Sequence, residues 1–276
     1  MKFREFLQHK IPMREIIVGR YRGLKKLQQA GERTGVIVRH GWEHLYWKDV
    51  PPYNGDESFP SRHSGNERSI PEGYRELYVV NCGVVEPRVT ALPKGIYPHR
   101  HPWRLVRARP ERPKTRLAYC NFSLGALHQP CYLEKREAVY AALRDRRWIT
   151  FENMGNRFGS YGLSPLSFYR HMSRHKYTIS PEGNGIDCHR SWEALYLKSI
   201  PIVQHSVEMA HFRDLPILFT KDYSELTPEY LKGRYERILE TDYCIEKLYL
   251  SYWKRRVEAS IRRQLNRSLK NDRPVS

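Results

Sequence analysis

From Arg116 onward the chain alternates short apolar runs with stretches of helical character, and no other feature restricts its fold so strongly. The run Leu-Ala-Tyr-Cys-Asn at 117–121 reads as a strand and is followed by a helix around 133–146. Further strands are expected at 148–151, 177–179, 200–203 and 215–219, with helices at 165–174 and 191–197 between them. Strands separated by helices build right-handed βαβ units and a mostly parallel sheet. Ligands of such α/β sheets bind beyond the carboxyl ends of the strands. Upstream, 35–39 and 77–81 also read as strands, being β-branched and bounded by turn or polar residues.

The charge is strongly basic. Of 276 residues, 48 are Lys or Arg and 30 are Asp or Glu, a formal net charge of +18. Such a field attracts anionic partners, and nucleic acid is the first to consider. Its distribution argues otherwise. Residues 94–116 carry eight bases and one acid, and residues 253–276 carry eight bases and two acids, so these two segments supply 13 of the 18 excess charges. The first also holds Pro98, Pro102, Pro110 and Pro113, a density that opposes a long helix and reads as a crossover between domains. In the second, Trp253, Val257, Ile261, Leu265 and Leu269 recur every four residues, an apolar stripe of a helix that packs on the body with its basic face in solvent. Two basic connections flanking a cleft suit a small anionic ligand, and the charge also permits an anionic membrane surface as a partner. No nucleic-acid motif accompanies it.

Other classes are set aside on composition. No run approaches the ~20 apolar residues of a membrane span, and no apolar signal core follows the first residues, so the expectation is a soluble cytoplasmic protein. The 5 cysteines are odd in number and none is spaced C-x-x-C, which reads as a reducing compartment with buried thiols.

The densest chemistry lies at 177–195, in an order of strand, glycine-containing loop and helix start. Gly183 and Gly185 allow a tight turn and close approach of a ligand to backbone. Amides at the start of the following helix favour an anion. Arg190 stands there, where a guanidinium grips two phosphate oxygens at once. Glu193, one turn on, is a carboxylate suited to accept from both ribose hydroxyls of a nucleotide. Singly each has an ordinary structural explanation; together, directly after an apolar strand, they read as a nucleotide-diphosphate site.

The stretch Ser180-Pro181-Glu182-Gly183, then His189-Arg190-Ser191-Trp192-Glu193-Ala194-Leu195, then Ile200-Pro201-Ile202-Val203 resembles the donor-site signature of the exostosin-like glycosyltransferases, family 47. The likeness extends from about 116 to 219, and within the family it is nearest the small xylosyltransferases of large algal viruses, which would place the protein in a host cytoplasm. It implies an α/β chain of GT-B architecture, two Rossmann-like domains facing across a cleft. Residues 1–113 would bind the acceptor and include the basic crossover; residues 114–250 would bind the nucleotide sugar; and the helix and tail at 251–276 would return to the first domain. The resemblance places Arg190 on the diphosphate, Glu193 on the ribose, and Asn121, Ser123 and Ser180 near phosphate or sugar. Asn153 and Arg157 would contact uracil and phosphate, and Asp187 the sugar or phosphate rim. It implies inverting transfer from a UDP-sugar, xylose favoured over galactose, glucuronic acid or N-acetylglucosamine, to a hydroxyl of a glycan or glycoprotein. One departure is local: where the family often has Gly before the Ile-Pro strand, this chain has Lys198 and Ser199.

Such a displacement needs a base on the acceptor hydroxyl and positive charge on the leaving diphosphate. No Asp-x-Asp occurs in the chain, so no metal cofactor is expected, and Arg190 and Arg157 would carry the leaving group. For the base, the loop at 51–58 offers Asp56 first and Glu57 second, with His40, Glu43 and His44 upstream. The closest histidine pair, His99 with His101, and the pair His171 and His175 on an expected helix lack a third ligand at metal spacing.

Overall fold

The computed structural model describes residues 1–19, 24–39, 74–83, 85–108, 113–124, 130–152, 163–183 and 185–271. The chain is α/β with two parallel sheets. In the first, β1 (Val36–Arg39), β2 (Glu76–Val80) and β3 (Val89–Leu92) lie in that order, all parallel. The second contains β4 (Arg116–Cys120), β5 (Ile149–Phe151), β6 (His175–Ile179), β7 (Ile200–Gln204) and β8 (Leu218–Thr220), in the order β5-β4-β6-β7-β8 and again all parallel. Counted within this sheet, the order is the doubly wound 2-1-3-4-5. All five strands fall where the apolar runs predict them.

The helices follow local chemistry. The first two are α1 (Phe3–Gln8) and α2 (Lys25–Glu32), and α3 (Pro102–Ala108) begins on a proline inside the basic crossover, where the missing N–H costs nothing. Between the strands of the second sheet run α4 (Pro130–Leu143), α5 (Pro165–Ser173), α6 (His189–Tyr196) and α7 (Val207–Ala210). After β8 come α8 (Pro228–Glu240) and the long α9 (Leu250–Asn271). Ser164 caps α5 by accepting from the Ser167 amide, and Thr227 caps α8 by accepting from Tyr230. The absent glycine after α6 is replaced by a strained residue: Lys198 has φ +62, and the Ser199 amide donates to the Ala194 carbonyl at 2.9 Å, closing the helix as a glycine would. The Lys198 ammonium lies 3.1 Å from the centre of the Phe6 ring, a cation–π contact that helps offset the backbone cost.

The two ends of the chain cross over. Helix α9 returns to the first sheet, where its Ser260 donates to Glu76 at 2.6 Å and pairs with the Tyr78 hydroxyl at 2.6 Å, while Arg263 meets the same Glu76 carboxylate at 2.9 Å. Trp253 and Val257 of this helix are fully buried, as the four-residue stripe predicts, whereas Leu265 and Leu269 stay exposed. The N-terminal segment goes the other way. Although it belongs by position to the first half, α1 packs on α8 of the second, with Phe3 edge-on to Tyr243 and His9 hydrogen-bonded to Tyr249. The N-terminal segment meets the start of the basic crossover at Val18, which bridges to Ile96. Gly95 there has φ +69, and a Cβ on it would lie 2.5 Å from the Ile17 carbonyl oxygen, so only glycine fits.

Candidate functional site

In a 2-1-3-4-5 sheet the crossovers leave the first and third strands in opposite directions, opening a crevice between their carboxyl ends. Here these are β4 and β6. Asn121 and Ser123 leave β4, Ser180 to Gly183 leave β6, and α6 begins close by with Arg190 in its first turn. The Arg190 Nε donates to the Asn121 carbonyl at 3.0 Å, and Ser180 and Ser191 pair through their hydroxyls at 2.9 Å. Arg190 is 7% exposed, yet among the described residues its Nη1 has no hydrogen-bond partner; the Asn121 side chain, fully buried, donates to the Tyr119 hydroxyl, and its Oδ1 finds no donor among them. A buried guanidinium N–H left unpaired costs more than the ~1–3 kcal/mol of a neutral group. Two such atoms, on residues joined by a hydrogen bond from the Arg190 side chain to the Asn121 backbone, mark a place for a polar ligand at a sheet's switch point.

A second arginine holds the two loops together. Arg136 of α4 is buried; its Nε donates to the Glu182 carbonyl at 2.7 Å and its Nη1 to the Ser123 carbonyl at 2.8 Å. Lys135 reaches the Glu182 carboxylate at 2.5 Å. A Cβ on Gly183 would come within 2.6 Å of the Arg136 Nη2, so a larger residue here would have to displace the guanidinium that holds the two loops. Gly185 accepts from the Gly183 amide at 3.0 Å and closes the turn. Cys188, buried, is held by the Pro181 and Gly185 carbonyls. Beyond β7, Glu208 is buried, and burial, together with the neighbouring Glu182, pushes its carboxyl up to about 7.

The other residues singled out from sequence face elsewhere. The Asp187 carboxylate accepts from the Lys94 amide at 2.8 Å and from the Trp192 indole at 2.6 Å, and its own amide donates to Asn81 at 2.8 Å. Burial raises its carboxyl to about 6. Glu193 has no exposed surface. One oxygen takes Arg100 Nη1 at 2.6 Å; the other takes the Tyr169 hydroxyl at 3.1 Å and the Tyr97 amide at 3.3 Å. The Arg100 guanidinium also lies 4.5 Å from the Phe168 ring centre. In this structure the Glu193 carboxylate forms a buried ion pair with Arg100 that ties α6 to the basic crossover, where the sequence leads one to expect a ribose contact. Asn153, Arg157, Asp56, Glu57, His40, Glu43 and His44 lie outside the described residues.

No family model and no curated protein matches this chain. The site is therefore read from its own geometry. Arg190, Asn121, Ser123, Ser180 and Gly183 are brought together; Asp187 and Glu193 are turned into the seam between the two halves. Sequence reasoning missed Arg136, Arg100 and Tyr169. His171 pairs with Glu152, and both His175 ring nitrogens are used, on the His171 carbonyl and Thr150. Among the described residues no group of three or more His, Cys, Asp and Glu is placed to hold a metal ion.

The seam carries a pH dependence. His189 sits with Nδ1 2.8 Å from the Gly95 carbonyl, to which it donates as a neutral ring, and burial, reinforced by Lys94, holds its pKa down to about 3. An unfolded imidazole takes its proton near 6.5, so between these values the unfolded state binds more protons and stability falls as pH drops. His175, lowered to about 4, acts with the same sign. Asp187 and Glu208, both raised, act with the opposite sign, so the wild-type profile alone is blunted. The stability difference between wild type and His189→Asn isolates the term. It is expected to shrink by about 2 kcal/mol from pH 6.5 to 5 in urea unfolding; a difference constant over that range would refute the neutral buried ring.

Proposed function

We propose that the protein is a metal-independent, inverting glycosyltransferase of GT-B type. It would transfer a sugar from a UDP-sugar, with xylose the favoured donor, to a glycan hydroxyl. The observation that supports this most directly is the unpartnered Arg190 Nη1 beside the unpartnered Asn121 Oδ1 at the β4–β6 switch point. A diphosphate would accept from Arg190 and from amides at the start of α6, supplying the charge stabilisation that the departing nucleotide needs. Ribose or base hydroxyls or amides would donate to Asn121. The motif likeness at 180–203 chooses a nucleotide sugar from among anionic ligands, and Asp56 or Glu57 is assigned the proton of the acceptor hydroxyl.

The test is thermal. UDP at ~100 times its Kd adds about 2.7 kcal/mol of stability. For a chain of this size that is a rise of roughly 5–10 °C in Tm, expected with chelator present. A UDP-sugar panel then identifies the donor by transfer or hydrolysis. No shift with any nucleoside diphosphate at millimolar concentration would sink the reading.

A further inference from the structure

Helix α3 buries Leu105 and Ala108, three residues apart, and on its other side leaves Trp103 46% and Val106 38% exposed, also three apart. The 3-10 turn Met13–Glu15 packs on this helix and leaves Met13 53% exposed. Single exposed hydrophobics are ordinary; an indole, a thioether and a branched aliphatic chain on two elements in contact are not. Basic groups flank them in the chain. Lys10, Arg14 and Arg107 are exposed, Arg104 is half-buried with its guanidinium 5.1 Å from the Trp103 ring centre, and Lys254 of α9 lies near the same turn. The acid within this turn, Glu15, is committed to the Ser251 amide at 2.9 Å.

We propose that this surface is a docking site for an anionic phospholipid membrane. An indole favours the headgroup level of a bilayer, and basic side chains beside it reach the headgroups while their stems stay in apolar surroundings. The basic groups complement an anionic leaflet, each contributing about 1 kcal/mol near the surface. Val106 and Met13 decide between polyanions: a bilayer desolvates aliphatic side chains, whereas a nucleic acid offers stacking and phosphate and gains nothing from them. The inference is independent of the donor site.

Vesicle co-sedimentation tests it with the intact chain, comparing phosphatidylcholine alone with phosphatidylcholine containing about 30% phosphatidylserine. Wild type is expected to partition at least ~10-fold better onto the anionic vesicles. The double variant Trp103→Ser, Val106→Ser should lose ~10-fold of that partitioning. Arg104→Gln with Arg107→Gln should lose ~10–30-fold, on anionic vesicles only. Trp103, Val106 and Arg107 are exposed and Arg104 is half-buried, so Tm values matching wild type verify the fold of both variants. Equal sedimentation of wild type and the serine variant overturns the proposal. So does wild type that ignores anionic vesicles, or that binds single-stranded RNA through these residues in their place.

Discussion

Replacing Glu193 with alanine is expected to cost about 3–5 kcal/mol of stability, the penalty for stranding one partner of a buried ion pair. Glu193 has no exposed surface and the Arg100 side chain is 11% exposed, so neither charge has solvent to turn to. The Tyr169 hydroxyl and Tyr97 amide lose their acceptor as well. Tm should fall by roughly 10 °C. The double variant Glu193→Ala, Arg100→Ala should recover part of that loss, because the two residues act as a unit. The outcome separates two roles for one carboxylate. If Tm holds and the UDP-induced shift disappears, Glu193 is a ribose ligand and Arg100 gives way on binding. If Tm falls as stated, it is the bolt between α6 and the crossover.

Arg190→Ala should behave in the opposite way. Among the described residues the Arg190 side chain has one hydrogen bond, to the Asn121 carbonyl, and removing the side chain relieves a buried unpaired N–H. The fold is expected to survive with little change in Tm. UDP affinity should drop by about 3 kcal/mol, roughly a hundredfold, by titration calorimetry. Arg190→Lys should not restore it, since an ammonium lacks the planar fork that engages two phosphate oxygens. A Kd unchanged by either substitution would move the diphosphate away from this helix.

The second sheet was legible because buried parallel strands read as continuous apolar runs, as in Ile-Pro-Ile-Val-Gln of β7. Its crevice followed from topology, and Arg190 from the loop and helix start. What sequence concealed was long-range pairing. Arg100 and Glu193 lie 93 residues apart, and nothing in a proline-rich basic stretch announces that one of its arginines is buried. Arg136 reads as an ordinary helix charge until the loops after β4 and β6 close over it. Helix α3 was hidden because proline density hid a helix only seven residues long that begins on one of those prolines. The ribose role expected of Glu193 came from spacing along α6 and from the motif likeness, and neither specifies which half of the molecule a helical face meets.

The crossed ends of the chain bear on how it is made. The contacts that seat α9 on the first sheet span 184 residues, and His9 meets Tyr249 across 240. Strands β1 and β2 emerge from the ribosome long before the helix that covers them, and α1 emerges before α8. Each half must wait for sequence belonging to the other, so native structure should form as one late step, slowed by its distant contacts. Until then the nascent first sheet keeps an apolar face uncovered, and a chaperone that shields it during synthesis would raise the yield of folded protein.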